Sequence, residues 1–514
     1  MEEFRNEPFT DFSVAENRGA FENALTKVAE DFGKRHTCWI AGDDIGGEAD
    51  LVSRDPGDTD RIVGVYPKLG EDEAERAMQA ALGAYPDWSA RTAEERAGYL
   101  FEASRRMRER KHEFSALMVF EVGKTWAEAD ADTAEAIDFM EFYAREALRY
   151  AKGSDLTPLA GEKNEMRYIP LGVGVVIPPW NFPLAILAGM ATAALVTGNT
   201  VIVKPSSDSP VIGGKFAELM REVGVPGGAF NYLTASGAVA GEYLVKHPKT
   251  RFVAFTGSKA VGLGIVSKAG ATPEGQIWIK RVIAEMGGKD GIYVDGDADV
   301  DVAVQGTLAS AFSYAGQKCS ACSRVIVHEK IYDDFVAGLA QGAPKLNVGH
   351  PTDPDVFVGP VSSESAYNKI LEYIEIGKGE GRLVAGGGKA PGNGYYIQPT
   401  VIADISPDAR IAQEEIFGPV LAVIKAGSYE EGRTIFNGTI YGLTGAIYSN
   451  TRAHLDDAKQ NFHVGNLYLN RKCTGALVGS QPFGGFNMSG TDSKAGSRDY
   501  LLLFLQGKTI SEKV

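Results

Sequence analysis

Apolar residues recur at three- and four-residue spacing through much of the first 150 residues. In residues 71–82, 92–111 and 125–150 they are interspersed with Glu, Arg and Lys. This spacing is typical of amphipathic helices that turn one face to solvent. The amino-terminal part of the chain is therefore predicted to be mostly helical, with surface-facing helices.

Beyond Gly172 the pattern changes to short β-branched runs that alternate with helical segments. The predicted strands are residues 173–177, 201–203, 230–233 and 252–255, and the predicted helices are residues 212–223 and 239–247. Such alternation predicts a parallel sheet with helices on both faces.

A second series of the same kind starts near Gly291. It contains a helical run at 302–314, a strand at 325–328, a helix at 332–343 and a turn-rich segment at 386–394. The chain is therefore predicted to be an α/β protein with two doubly wound sheets.

Two segments have too few neighbours in sequence to bury themselves. Residues 152–168 are rich in Gly, Pro and Lys, and residues 500–506 are apolar. Both are expected to be arms that add to a sheet or to another subunit, with each other as possible partners.

Residues 171–203 contain no charged side chain, a length that exceeds the roughly 20 residues of a membrane helix. Pro178, Pro179 and Pro183 interrupt this stretch, and Gly198 breaks it again. It is therefore predicted to be strand, loop, helix, turn and strand within a buried sheet, and not a membrane span.

Composition and charge limit the classes of function that this chain can have. Apolar residues make up 44% and charged residues 23% of the 514, which is ordinary for a folded globular chain. The net charge of −15 opposes binding to nucleic acid or to anionic membranes. Only four cysteines and an acidic amino terminus without an apolar segment predict a cytoplasmic protein without disulfides.

Glycine-rich motifs give limited support for a nucleotide. Gly262 and Gly264 have dinucleotide-motif spacing but fall inside a predicted helix, and Gly257 with Gly262 lacks the Lys of a P-loop. Residues 255–258 instead join a strand to a helix, where free N–H groups and the helix dipole suit a pyrophosphate. The alternative is an ordinary helix cap by Thr256 or Ser258.

The segment Gly-Gln-Lys-Cys-Ser-Ala-Cys contains Cys319 and Cys322 and has the most candidate reactive side chains of any segment in the chain. Zinc would need two further ligands, and neither the isolated Cys38 and Cys473 nor the scattered histidines supply a second pair, so no metal is expected. Core packing is expected for the other three cysteines. Cys319 is the candidate nucleophile, and Lys318 beside it can favour the thiolate.

Glu285 ends an apolar predicted strand and is followed by two glycines. The carboxyl ends of parallel strands form the edge at which α/β enzymes place their chemistry. A capping or solvated glutamate is the alternative interpretation.

Together these segments resemble the aldehyde dehydrogenase superfamily over nearly the whole chain. The motifs in order are Pro179-Trp180-Asn181-Phe182-Pro183, Val203-Lys204-Pro205-Ser206, Phe255-Thr256-Gly257-Ser258, Glu285-Met286-Gly287-Gly288-Lys289, Gly316-Gln317-Lys318-Cys319 and Glu414-Glu415-Ile416-Phe417-Gly418-Pro419. The resemblance implies an NAD(P)-binding domain (1–150 and 172–285), a catalytic domain (286–486) and a small oligomerisation arm (151–171 and 487–514) that forms a dimer or an assembly of dimers.

The resemblance also implies roles. Cys319 would be the nucleophile, Glu285 the general base, and Asn181 an oxyanion donor together with the backbone N–H of Cys319. The residues that would hold NAD(P)⁺ are Trp180, Lys204, Ser207, Gly237, Gly257, Ser258, Glu415 and Phe417. The presence of Glu285 disfavours the branch of the family that acylates coenzyme A.

Residues 204–210, 316–320 and 474–485 are similar to the branch that oxidises glutamate γ-semialdehyde, the open form of 1-pyrroline-5-carboxylate, in proline degradation. That similarity assigns the α-carboxylate to Ser320 and the N–H groups of Gly475 and Ala476. It places the aliphatic stem between Phe182 and Phe483. Glu135 is proposed to accept the ammonium, with a solvated helix face as the alternative.

Ser207 stands where many NAD-preferring relatives have Glu, so NAD is expected to be preferred and NADP to be usable as well. Three other functions stay open: another semialdehyde dehydrogenase, such as one for succinate semialdehyde; a non-catalytic nucleotide-binding protein; and a redox or metal protein built on Cys319 and Cys322.

Overall fold

The structure is a computed structural model that describes residues 3–514. Met1 and Glu2, which begin the first predicted domain, lie outside the described residues. The helices are α1 (Ala15–Ala29), α2 (Glu71–Ala90), α3 (Ala93–Glu109), α4 (Lys111–Val122), α5 (Trp126–Tyr150), α6 (Ala185–Val196), α7 (Pro210–Glu222), α8 (Glu242–Lys246), α9 (Lys259–Gly270), α10 (Val300–Phe312), α11 (Tyr332–Gly342), α12 (Glu364–Glu380), α13 (Arg410–Gln413), α14 (Tyr429–Asn437) and α15 (Arg452–Asn461).

The strands alternate with these helices over most of the chain. They are β1 (Cys38–Ile40), β2 (Asp43–Ile45), β3 (Asp50–Asp55), β4 (Asp58–Pro67), β5 (Glu162–Pro170), β6 (Val173–Ile177), β7 (Thr200–Val203), β8 (Phe230–Tyr232), β9 (Phe252–Thr256), β10 (Arg281–Glu285), β11 (Asp290–Val294), β12 (Cys322–His328), β13 (Arg382–Ala385), β14 (Thr400–Ala403), β15 (Val420–Ala426), β16 (Tyr441–Gly442), β17 (Thr444–Tyr448), β18 (Asn466–Leu469), β19 (Phe486–Asn487) and β20 (Leu505–Lys513).

The first sheet has seven strands in the order β10-β9-β6-β7-β8-β1-β2. The strands from β6 to β10 are parallel, and β1 and β2 add antiparallel at one edge. All four predicted strands are present. Their apolar runs are continuous because helices cover both faces of a parallel sheet.

The second sheet also has seven strands, in the order β13-β14-β15-β12-β11-β17-β18, and only the edge strand β13 is antiparallel. The predicted strand at 325–328 and the helix at 332–343 correspond to β12 and α11. Each sheet has its own hydrophobic core. The prediction of two doubly wound parallel sheets is confirmed, whereas the exact domain boundaries remain a prediction.

The amino-terminal helices differ from the prediction in their environment. α5 buries 17 of its 25 residues, including Asp130, Asp132 and Asp138, because it packs among α3, α4 and α6. The expectation of surface-facing helices is therefore wrong for α5, whose buried Asp130, Asp132 and Asp138 each contact a polar or charged partner inside the protein. The same region also contains β1 to β4, which the helical pattern did not predict.

The two predicted arms pair with each other. β5 and β20 form an antiparallel ribbon from Glu162 opposite Lys513 to Pro170 opposite Leu505. The pairing of the two arms was predicted, but the paired residues are 162–170 and 505–513 and not 152–168 and 500–506, because Tyr500–Phe504 forms a 3₁₀ helix that packs on the first core.

The charge-free stretch contains β6, α6 and β7, in the predicted order. Within residues 3–514, no helix combines the length and the apolar character that crossing a membrane requires.

Candidate active site

Cys319 lies on a tight turn between α10 and β12. Tyr314 and Ala315 both have a φ of 52°, and Gly316 has a φ of 68°. A Cβ on Gly316 would collide with the backbone carbonyl of Gly418, so glycine is required there. Cys319 is half-buried, whereas the other three cysteines are buried, as expected for core packing.

Burial raises the pKa of the Cys319 thiol, and the charges of Asp290 and Glu415 raise it further. The expectation that Lys318 favours a thiolate is wrong for this arrangement. Its ammonium donates to Glu128 at 2.6 Å and to the Ser313 hydroxyl at 3.1 Å. The surroundings of the thiol therefore favour its protonated form, and the thiol must lose its proton when it attacks.

Asn181 follows the carboxyl end of β6 and is buried. Its Nδ2 donates to the carbonyl oxygen of Gln317 at 3.0 Å, two residues before Cys319. The Gln317 side chain in turn donates to Pro360 O at 3.1 Å and accepts from Ser362 N at 2.8 Å. The Asn181 amide is thus held beside the turn that carries Cys319.

Glu285 ends β10, as predicted, and only 9% of its surface is exposed. One carboxylate oxygen accepts from Gly485 N at 3.3 Å, and the other accepts from the Ser493 hydroxyl. Burial raises the pKa of Glu285 to about 8. A solvated glutamate is therefore excluded, and the group can exchange a proton near neutral pH.

The two glycines after Glu285 bring three motifs together. A Cβ on Gly288 would lie 2.7 Å from the carbonyl oxygen of Cys319, and one on Gly287 would collide with the Glu415 carboxylate. Gly288 N also donates to Glu415 Oε1 at 3.1 Å. The backbone after Glu285 therefore passes closely between Cys319 and Glu415.

Several of the predicted cofactor residues lie at the carboxyl edge of the first sheet. Lys204 follows β7, donates to Pro205 O at 2.8 Å and Ala235 O at 3.2 Å, and has its pKa lowered by burial to about 8. Ser258 caps α9 by accepting from Val261 N at 3.4 Å, so the capping interpretation holds locally. The remaining first-turn N–H groups of α9 suit a phosphate.

The other predicted cofactor residues surround this edge. Gly237 starts a short π-helical turn, and a Cβ there would meet no atom within 4 Å. Ser207 is exposed. The rings of Trp180 and Phe417 meet edge to face with centroids 5.6 Å apart, and Phe417 has a φ of 62°. These residues fit a dinucleotide because they combine open space, amide donors, a cation and an aromatic wall.

Ser320 is joined to the loop predicted to bind the substrate carboxylate. The carbonyl oxygen of Ser320 accepts from Cys473 Sγ at 3.5 Å and from Thr444 Oγ1 at 3.3 Å. Cys473 directly precedes the loop 474–485, in which Gly475 has a φ of 84°. The structure therefore brings the residue before this loop next to the residue that follows the nucleophile.

Glu135 lies on α5 and is half-buried. Burial, followed by the charge of Asp132, raises its pKa to about 8, and the charge of Glu135 is among those that raise the Cys319 pKa. Glu135 is therefore not on a solvated helix face, and it lies within electrostatic reach of the candidate nucleophile.

Motif reasoning missed a buried lysine behind Phe182. Lys124 Nζ lies 3.8 Å from the Phe182 ring centroid and 4.4 Å from that of Tyr314, and its ammonium pairs with Asp132 at 3.3 Å. Lys124 has no motif around it, so only its contacts identify it. The sandwich of Phe182 with Phe483 stays a prediction; Phe483 exchanges backbone hydrogen bonds with Ala495 at 2.9 and 2.8 Å.

The Cys-x-x-Cys pair does not act as a unit here. The Cys322 thiol donates to the carbonyl oxygen of Arg324 at 3.4 Å, and the thiol that it interacts with is that of Cys473 and not that of Cys319. Among residues 3–514, no three His, Cys, Asp or Glu side chains are grouped so that they could hold a metal.

Comparisons with known proteins agree with this geometry. The model of the aldehyde dehydrogenase family matches residues 39–510. The 1-pyrroline-5-carboxylate dehydrogenase of a Geobacillus species is 55% identical over 512 residues, which cover 100% of this chain and 99% of the relative. That of Bacillus subtilis is 53% identical and covers 99% of both chains. The 1-pyrroline-5-carboxylate dehydrogenase from Thermus with bound NAD matches with a TM-score of 0.98 at 49% identity, over 100% of both chains.

Proposed function

The chain belongs to the aldehyde dehydrogenase family, and from this premise we propose that it oxidises L-glutamate γ-semialdehyde to L-glutamate with NAD⁺, the second step of proline degradation. The observation that supports this choice of substrate is the hydrogen bond from the Cys473 thiol to the carbonyl oxygen of Ser320. It attaches the residue before the proposed carboxylate-binding loop to the residue after the nucleophile. The relatives that match the full chain carry the corresponding name.

Carbon–sulfur bond formation is the first chemical step. Cys319 Sγ gives its proton to solvent water and adds to the aldehyde carbon, which converts the carbonyl oxygen into an oxyanion. Asn181 Nδ2 and the backbone N–H of Cys319 stabilise that charge. Asn181 is already fixed at the turn by Gln317 O, so little reorganisation is needed.

The residues proposed to hold the cofactor are Lys204, Ser258 and Glu415, together with Trp180, Ser207, Gly237, Gly257 and Phe417. When bound, NAD(P)⁺ would supply the hydride acceptor, so that the adduct on Cys319 is oxidised to a thioester. Ser207 has no negative charge that would repel the 2′-phosphate of NADP⁺. NADP⁺ is therefore accepted, although NAD⁺ is preferred.

Glu285 carries out the last step. Its carboxylate takes a proton from water, which then attacks the thioester and releases the acid. Because the Glu285 pKa is about 8, this base is only partly ionised at neutral pH.

The substrate has a carboxylate and an ammonium at the end away from the aldehyde. Ser320 and the N–H groups of Gly475 and Ala476 bind the carboxylate, since amide and hydroxyl donors suit an anion. Phe182 and Phe483 enclose the stem, and Glu135 binds the ammonium. Succinate semialdehyde has no ammonium, and so it gains nothing from Glu135.

Three further proposals concern the whole molecule. The antiparallel ribbon of β5 and β20 is proposed to mediate a homo-oligomer, because its two strands have no other sheet to join. The free state of all four cysteines supports a cytoplasmic location. Residues 1–150 with 172–285 and residues 286–486 are proposed as the cofactor-binding and catalytic domains.

The deciding experiment is a panel of glutamate γ-semialdehyde, succinate semialdehyde and propanal with NAD⁺, followed by the absorbance of the reduced nicotinamide. We expect glutamate γ-semialdehyde to have the highest kcat/KM. Equal or better use of succinate semialdehyde or propanal would overturn the assignment.

A further inference from the structure

The amino-terminal segment, residues 3–14, contacts two of the elements that the proposed function assigns to substrate recognition. It precedes the region that the family model matches. One of these elements is α5, which carries Glu135. The other is the carboxylate loop, residues 474–485.

Asn6 joins the two elements directly. Its Nδ2 donates to Asp138 Oδ2 on α5 at 2.8 Å and to the carbonyl oxygen of Val478 in the carboxylate loop at 3.0 Å. The second oxygen of Asp138 accepts from Glu7 N at 2.7 Å. Asp138 is 3% exposed and lies three residues after Glu135. One side-chain amide thus links the helix proposed to bind the substrate ammonium to the loop proposed to bind the neighbouring carboxylate.

Phe4 makes a second contact with the same loop. Its ring meets that of Phe142 on α5 edge to face with centroids 5.2 Å apart. A Cβ on Gly479 would lie 3.3 Å from Phe4 and 3.2 Å from Phe142, so both rings lie against the loop backbone at Gly479.

The segment is also fastened to α5 independently of the loop. Thr10 donates to Asp130 through its N–H at 2.8 Å and its hydroxyl at 2.6 Å. The Lys111 ammonium donates to Pro8 O and to Asp130, both at 2.9 Å. Because the segment is fixed to the helix on its own, its contacts at Val478 and Gly479 can hold the loop in place.

We propose that Asn6 is a positioning residue for the substrate: it fixes the distance between the carboxylate loop and Glu135. A substrate with a carboxylate and an ammonium needs both binding groups at a set separation, whereas propanal has neither group. Loss of Asn6 therefore affects the two substrates differently. This inference rests on the proposed function.

The test compares Asn6→Ala with Asn17→Ala. Asn17 is a half-buried residue further along the chain whose amide donates to Asp11 O at 2.9 Å. We expect Asn6→Ala to raise KM for glutamate γ-semialdehyde about threefold to tenfold, the effect of a lost hydrogen bond. Its KM for propanal should change by less than about twofold, and Asn17→Ala should change neither.

Amide hydrogen exchange gives a readout that does not depend on turnover. Exchange in residues 474–485 should become faster in Asn6→Ala than in the unmodified protein, and it should be unchanged in Asn17→Ala. Phe4→Ala removes the other contact and should show the same pattern, which keeps the test available if Asn6→Ala folds poorly.

The outcomes separate the two proposals. If the unmodified protein does not prefer glutamate γ-semialdehyde, the proposed function fails, and the exchange comparison still decides the role of Asn6. If that preference holds but Asn6→Ala changes both substrates equally, or changes neither KM nor loop exchange, the role of Asn6 is wrong.

Discussion

Asn181 Nδ2 lies 3.0 Å from the carbonyl oxygen of Gln317, although 136 residues separate them in the chain. Asn181 follows a strand of the first sheet, and Gln317 precedes a strand of the second. This bond therefore joins the edges of the two sheets at the candidate nucleophile, where an amide donor can meet an oxyanion.

Replacing Asn181 with Ala should lower kcat about a hundredfold to a thousandfold, as expected for loss of one oxyanion donor. NAD⁺ affinity, measured by titration of protein fluorescence, should change little. Asn461→Ala, which removes a surface amide on α15, is the control. A kcat for Asn181→Ala near that of the control would exclude Asn181 from oxyanion binding.

The two cysteines of the Cys-x-x-Cys pair should behave differently. Cys319→Ala should abolish aldehyde oxidation while NAD⁺ still binds, because no other half-exposed thiol is present among the four cysteines. Cys322→Ala should keep most activity, since Cys322 is buried beside Cys473. Steady-state rates and cofactor titration measure both effects. Equal losses in the two variants would support a dithiol function instead.

The strands could be predicted from sequence because continuous apolar runs such as Val173–Ile177 mark strands that are buried on both faces. β1, with only three residues, is too short to show a period. The acidic residues of α5 misled the prediction because their partners, such as Asn6 for Asp138, lie far away in sequence. Burial of a charged helix depends on those distant partners and not on local pattern.

Part of the candidate site could also be predicted from the sequence. Motifs singled out Cys319, Glu285 and Asn181 as candidates, and the structure brings Asn181 to the turn of Cys319. The pairing of Lys318 with Glu128 could not be predicted, because the adjacency of Lys318 to Cys319 in sequence says nothing about where the ammonium points. The hydroxyl of Ser493 that holds Glu285 comes from 208 residues away.

The pKa of Glu285 predicts a pH dependence for thioester hydrolysis. Burial raises this pKa to about 8, and a general base works only when ionised, so the hydrolysis rate should rise with pH through about 8 and then level off. Glu285→Gln should remove this rise and slow hydrolysis about a hundredfold or more, with a burst of reduced cofactor in the first turnover. Stopped-flow absorbance across pH tests both points. A variant without a burst would contradict the assignment of the base.

Ser207 predicts the cofactor preference. Installing a carboxylate with Ser207→Glu should weaken NADP⁺ binding about tenfold by repulsion of the 2′-phosphate, while NAD⁺ binding changes little. Dissociation constants from fluorescence titration measure this without turnover. The neutral Ser207→Gln controls for side-chain size. Unchanged NADP⁺ affinity in Ser207→Glu would place the adenosine ribose elsewhere.

Gly475 should discriminate between substrates. Its φ of 84° lies in the left-handed region, which a β-branched residue rarely adopts, so Gly475→Val should shift the N–H groups proposed to bind the carboxylate. We expect kcat/KM for glutamate γ-semialdehyde to fall at least about tenfold more than that for propanal. Gly161→Val is a matched control, because Gly161 has a φ of 82° with no atom within 4 Å of an added Cβ and lies at the turn before β5. Equal losses for both substrates in Gly475→Val would mean that the loop supports the fold and does not select the carboxylate.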